Sequence, residues 1–370
     1  MANKKITGFL WQSALLFDFF LAACTGAQVE KPVTPGAKHP ALTPSAEQMI
    51  SPTQPAPPPT STPLPAMEPP KLTALLEGIE GPVYSLAWSP DGRTLASAGY
   101  KQVKLWDVKT KKAIRTLSGH ESFVWGVAWA PDGKKIVSGS ADGTTRIWKA
   151  ETGEEISKLE TGWAFCVAWS ADGKQVVVGN DTGLVDIRGA ETGKSVSRYQ
   201  VKSDMSSIIS LSWSPVGALI AVGTWDGHIY LWDALTGEQR KEISGYSTKR
   251  SDTNGITWSP DGSVLASAHQ DGVVRLWNGT GNLIRELRGH KDWVRGIAWS
   301  PDGHYLASSG KDNKVILWNP DTGQKLVELK EHDLPVWSLA WSPDGRQFAA
   351  GSGAYDNSWT AGKIAIWSMP

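Results

Sequence analysis

Few residue patterns in this chain could support chemistry. Two histidines follow a glycine in matching settings, Gly119-His120 and Gly289-His290. An imidazole can ligate a metal or act as a general base, but a metal needs several such donors converging on one point. These histidines fall in separate copies of a repeated unit, one to a copy, too far apart to meet. Asp-Gly steps recur, as in Pro90-Asp91-Gly92 and Pro301-Asp302-Gly303. Each offers one carboxylate in a tight turn, where calcium takes roughly six to eight oxygen ligands. Turn chemistry therefore accounts for them. No G-x-S-x-G nucleophile elbow occurs. Of the two cysteines, Cys166 lies in an apolar stretch, WAFCVAWS, and reads as a small buried hydrophobe. What the chain has in excess is tryptophan, 20 residues in 370.

Those tryptophans mark the elements. The Trp of AWSPDG and its variants recurs at Trp88, Trp129, Trp169, Trp213, Trp258, Trp299 and Trp341. A second signal trails each copy, and its Trp falls at Trp106, Trp148, Trp232, Trp277, Trp318 and Trp367, with Arg188 in its place in the third copy. Each period reads as four short strands. A near-continuous apolar strand ends at the first Trp. A Ser-Pro-Asp-Gly turn follows, in which Pro presets one dihedral and Gly takes positive φ. Two further strands and a Thr-Gly turn lead to a more polar outer strand.

At this point the chain resembles the WD-repeat β-propeller family, over residues 71–370. The family's GH stands at Gly119-His120 and Gly289-His290, and its WD at Trp106-Asp107 and Trp232-Asp233. The resemblance implies an all-β, seven-bladed propeller of four-stranded antiparallel blades. A period of about 40–45 residues fits one blade. A lone blade cannot bury both faces, but seven in a ring bury them against each other, with the repeated Trp wedged between neighbours. The last copy stops after its third strand, while KLTALLEG (Lys71 to Gly78) precedes the first copy as an unpaired strand. The N-terminal strand is therefore expected to complete the last blade, removing two open edges. The resemblance also implies a polar tetrad within a blade: His120, Ser138, Asp142 and Trp148 in the second, His290, Ser308, Asp312 and Trp318 in the sixth. Blade five has Ser267, Asp271 and Trp277, with Tyr246 where the His is expected. Blade seven has His332 with neither the Ser nor an aligned Asp. Arg188 is expected to weaken packing between blades three and four, so that Arg188→Trp would stabilise.

The N-terminus carries an address. Lys4 and Lys5 precede an apolar run, and small residues lead to Cys24. A positive start, an apolar core and a small-residue exit make an export signal. LAAC (Leu21 to Cys24) resembles the bacterial lipoprotein signal, with Asp18 a departure inside the apolar run. This implies a signal over 1–23, a lipid on Cys24, and an extracytoplasmic, lipid-anchored location; the alternative is an uncleaved transmembrane anchor, for which the apolar run is short. Residues 24–70 hold most of the prolines and few charges or aromatics, and read as a disordered tether.

Formal charge is zero, 37 basic against 37 acidic residues. Nucleic-acid binding has no electrostatic footprint here. The expected function is a non-catalytic scaffold, a monomeric ring without cofactor or metal that docks a protein or peptide. The alternatives are an exported propeller enzyme, of hydrolase or quinone-dehydrogenase type, and a glycan-binding propeller. The docking surface is expected where the chain enters the innermost strands. Trp125 and Trp337 fall four residues before a wedge Trp, and Trp163 and Trp293 six before. Tyr84, Phe123 and Phe165 hold comparable positions, Trp225 and Trp359 lie in loops at the same end, and Asp252, Asn254 and Arg295 add polar groups there. Exposed aromatic clusters mark contact sites.

Overall fold

In the computed structural model, residues 67–201, 207–244, 252–354 and 361–370 are described. They belong to the unit Thr60–Pro370, which is separate from Met1–Pro59. The signal, Cys24 and most of the tether lie outside the described residues, as do Tyr246 and Trp359.

The strands form seven four-stranded antiparallel blades. Blade 1 begins at Ser85–Trp88 and blade 2 within Lys112–Trp129. Blades 3 to 7 begin at Ala164–Trp169, Ile208–Trp213, Thr253–Trp258, Val294–Trp299 and Val336–Trp341. These innermost strands pack side by side in cyclic order, the last beside the first. Lys112–Trp129 is one long strand that serves as the outer strand of blade 1 and the inner strand of blade 2. Its connector stays extended because Tyr100 pairs with Phe123.

Closure is as the sequence predicts. Lys71–Ile79 pairs antiparallel with Gly362–Ser368, Lys71 opposite Ser368 and Ile79 opposite Gly362. Leu76 and Ile79 are buried in one cluster with Val83, Trp88 and Ile364. The chain therefore joins the ring at its lower face, the face of the Pro-Asp-Gly turns. Upper face denotes the end where the innermost strands begin.

The wedge tryptophans cross between blades. Trp88 Nε1 donates to the Ala340 carbonyl at 3.1 Å, Trp129 to Ala87 at 3.1 Å, Trp169 to Ala128 at 3.2 Å and Trp341 to Ala298 at 3.2 Å. Each acceptor lies on the innermost strand of the preceding blade. An indole of this kind buries roughly 150–250 Å², worth about 4–6 kcal/mol gross. Three positions before each wedge Trp stands a small residue: Ser85, Gly126, Cys166, Ser210, Gly255, Gly296 and Ser338. The inner strands converge here. A Cβ at Gly255 would sit 2.7 Å from the Arg295 carbonyl. Where the residue is Ser it stitches to the next blade: Ser210 Oγ donates to the Thr253 carbonyl at 2.7 Å and Ser338 Oγ to Val83 at 3.0 Å. Cys166 Sγ lies 3.8 Å from the Ile208 carbonyl, and burial pushes its thiol pKa up.

Blade 3 departs from the sequence expectation. Third-strand tryptophans pack toward the preceding blade, as Trp148 does against Val103 and Leu117. Arg188 therefore faces blade 2, not blade 4. The interface of blades 3 and 4 is filled by Trp232, Trp213 and Tyr230 against Val177, Val185 and Ile187. Arg188 is also well partnered. Its guanidinium holds the buried Asp186 at 2.8 Å and donates to the Glu160 carbonyl of blade 2 at 3.0 Å.

Two outcomes follow. Deleting residues 68–79 should abolish the cooperative thermal transition of the ring, because Gly362–Ser368 becomes an open edge; a truncated protein that melts like the full chain would contradict the closure. Arg188→Trp should lower stability, by about 1–3 kcal/mol, since it removes the closer of the two guanidiniums on the buried Asp186 and leaves it Arg198 at 3.4 Å and the Ser195 hydroxyl at 2.6 Å. Chemical denaturation reads this directly, and a stabilised variant would show that Asp186 does not depend on Arg188.

Candidate functional site

The histidines are spoken for. In blade 2, His120 Nδ1 meets Asp142 at 2.8 Å, its Nε2 meets Ser138 Oγ at 2.8 Å, and Trp148 Nε1 donates to the same Oγ at 2.8 Å. Blade 6 repeats the chain through His290, Asp312, Ser308 and Trp318, at 2.9, 2.9 and 2.8 Å. The carboxyls of Asp142 and Asp312 are held below the usual range: burial opposes this, and the histidine hydrogen bond is the largest of the lowering effects. With both ring nitrogens engaged inside a blade, these imidazoles serve as internal braces.

Blades 5 and 7 solve the same problem differently. In blade 5, His269 from the second strand reaches Ser267 Oγ at 2.7 Å, and Trp277 Nε1 donates to that Oγ at 2.7 Å. Sequence reasoning missed this stand-in because His269 is not preceded by glycine. Asp271 instead pairs with Arg275 at 2.7 Å. In blade 7, Ala350 occupies the place of Ser138. His332 Nδ1 bonds Ser352 Oγ at 2.8 Å, a serine two positions further out. Among the described residues, His332 Nε2 and Trp367 Nε1 have no hydrogen-bond partner although both are buried. Burial pushes the His332 pKa down to about 4.

The upper face holds a different assembly. Trp337 lies 5.9 Å from Tyr84, ring centre to ring centre, and Tyr84 lies 5.9 Å from Phe123. Phe123 is 6.5 Å from Trp125 and nearly parallel to it; Trp125 stacks on Phe165 at 4.3 Å and meets Trp163 at 6.4 Å. At the other end the Arg295 guanidinium is 4.9 Å from the ring centres of both Trp293 and Trp337. Arg295 Nη1 donates to Asn254 Oδ1 at 3.2 Å, and Asn254 Nδ2 donates to the Val294 carbonyl at 3.0 Å. One arc thus runs over blades 6, 7, 1, 2 and 3. The innermost strands place it: each ring sits near the upper end of one, Phe123 and Trp125 within the long strand Lys112–Trp129.

The remaining sequence candidates lie elsewhere on the same face. Trp225 is in blade 4, its N–H on the Ser207 carbonyl at 3.0 Å. Asp252 is buried at the start of the blade 5 inner strand. The arc differs from expectation in exposure. Its rings are half-buried because they stack on one another. Among the described residues, the large apolar side chains open to solvent are instead aliphatic, such as Leu235 and Val216 in turns, and Ile114, Ile156, Val196 and Ile284 on the outer strands.

A family model described as the first β-propeller of IFT122 matches residues 82–249. A second, the WD domain or G-beta repeat, matches residues 237–278, 281–319 and 323–360. With the seven-bladed ring, these matches define the chain as a WD-repeat β-propeller. Among curated proteins it is similar to telomerase protein component 1 of Rattus norvegicus, 33% identical over 90 residues, and of Mus musculus, 32% identical over 90. The match covers 23% of this chain and only 3% of the length of each relative.

Blade 7 yields a test. Because burial lowers the folded pKa of His332 below an unfolded value near 6.5, neutral His332 contributes stability above that pH. This contribution is lost as pH falls toward about 4. Ala350→Ser places a hydroxyl between the two orphaned nitrogens. It should add about 1–2 kcal/mol near neutral pH, read by urea melts. No gain at neutral pH would contradict the geometry.

Proposed function

We propose that this protein is a non-catalytic binding scaffold, a membrane-tethered propeller that docks a protein or peptide partner on the aromatic arc of its upper face. The observation that carries the reading is the arc itself: seven aromatic rings and one guanidinium in continuous contact across five blades. A single half-buried ring on a loop is ordinary; an unbroken run of Trp, Tyr and Phe provides the rigid, amphipathic anchors from which binding hot spots are made. WD-repeat propellers are in general interaction scaffolds without catalysis, and the histidines that might suggest otherwise are engaged as braces.

Tethering rests on the export signal and Cys24. Lys71 pairs with Ser368 at the lower end of the last strand, so the first strand of the ring starts on the face opposite the arc.

Crosslinking on the intact cell envelope tests both parts. A partner recovered with the wild-type chain should be lost, by at least about tenfold, from Trp125→Ala/Trp163→Ala, while that variant keeps its cooperative melt. Cys24→Ser should release the protein from the membrane fraction. A partner recovered equally with the double variant would place the site elsewhere, and unchanged membrane attachment and mass would make the apolar run the anchor.

A further inference from the structure

The chain as a whole is neutral, but cations gather at two places along the arc, while at its blade 3 end Asp181 accepts the Trp163 backbone N–H at 3.2 Å. Lys311 Nζ lies 4.7 Å from the ring centre of Trp293, which also faces Arg295. Lys101 Nζ lies 5.2 Å from the ring centre of Tyr100, whose ring is 5.4 Å from Phe123. Three cations thus line one aromatic surface, two at its blade 6–7 end and one in blade 1. The acidic groups beside Lys311 have assignments of their own: Asp312 is bound by His290 at 2.9 Å, and Asp292 accepts the Trp293 N–H at 2.8 Å.

Lys101 carries a second, independent observation. It sits at φ 60°, in the left-handed region that a long side chain avoids. The turns between the second and third strands of blades 2, 3, 4 and 5 give this conformation to glycine, at Gly143, Gly183, Gly227 and Gly272, with φ from 77° to 87°. Blade 6 places Asn313 there at φ 64° and blade 1 a lysine; Lys111, in the next turn of blade 1, shares the conformation at φ 61°. A residue held in an unfavourable backbone region points to a use that offsets the strain. Here the lysine is exposed and its ammonium stands over Tyr100, which adjoins the arc at Phe123.

We propose that the arc takes an acidic, extended segment of a partner protein, with carboxylates on Lys101, Arg295 and Lys311 and apolar side chains on the ring faces between them. This rests on the docking reading above and adds its chemistry. A guanidinium 4.9 Å from two indole centres and bonded to Asn254 has little rotamer freedom left to lose, so a carboxylate meeting it forms a charge-assisted hydrogen bond at low ordering cost. The lysines act as point charges at the rim and set salt dependence more than shape.

Fluorescence anisotropy on the full chain tests this with labelled peptides of one length: one alternating glutamate with tryptophan, one with glutamine for glutamate, and one with lysine. A neutral oligosaccharide serves as the glycan probe. The glutamate peptide should bind at least about tenfold more tightly than the glutamine peptide, the lysine peptide and the oligosaccharide should not bind, and rising salt should erase the difference. Lys101→Gly should weaken glutamate-peptide binding while leaving stability equal or higher, since glycine relieves the turn; a merely structural lysine would leave peptide binding unchanged. Equal binding of glutamate and glutamine peptides overturns the acidic preference and leaves the docking surface standing. Tighter binding of the lysine peptide or of the oligosaccharide overturns it in favour of that chemistry. If no peptide binds, the proposal falls, and the envelope crosslinking decides separately whether the arc docks a partner at all.

Discussion

Everything in this molecule depends on closing a ring of sheets that are apolar on both faces. A blade alone would leave its wedge tryptophan and its third-strand tryptophan against water. In the ring, Trp88 reaches back to the Ala340 carbonyl of blade 7, so blade 1 needs the end of the chain before it can bury its own core. The pairing of Lys71–Ile79 with Gly362–Ser368 meets that need. It joins the two ends of the repeat region in one sheet and leaves no blade with a missing strand. The small residues that precede each wedge Trp obey the same constraint from the inside, because seven strands meeting around an axis leave no room there for a branched side chain.

What was legible in the sequence was what repeats. The wedge at Trp299 and the tetrad at His290 could be placed because neighbouring copies say the same thing in the same register. Closure was legible too, from a strand missing at one end and spare at the other. The exceptions were harder. Arg188 breaks the pattern, and nothing local shows that its partners are Asp186 and a carbonyl of blade 2, since that contact depends on which neighbour a third strand faces. His269 replaces the missing histidine of blade 5 from a strand that carries no such signal. The sequence placed the aromatic residues at one end of the ring, but their half-burial depends on mutual stacking, which spacing along a chain does not reveal.

The division of labour is physical. Polar groups that might do chemistry are consumed by the scaffold: His120 and His290 brace their blades, and the turn aspartates cap their own turns, as Asp91 does through Ser89 and the Arg93 N–H. The scaffold is therefore repetitive where it must be rigid. The upper-face positions have no such duty, and there the copies diverge into Tyr84, Phe123, Trp125, Trp163, Trp293 and Trp337. The outer strands diverge as well, and Ile156 and Ile284 leave aliphatic surface open on the rim. Two surfaces thus compete as the place where a partner binds, one aliphatic and dispersed, the other aromatic, contiguous and edged with cations.

Site-specific photocrosslinking distinguishes them most directly. A benzophenone amino acid placed at Trp163 in one protein and at Ile284 in another, each activated on intact cells, reports which surface touches a partner. The account predicts a discrete crosslinked species from position 163 and none from position 284. A species from 284 alone would move the binding surface to the rim and contradict the central claim.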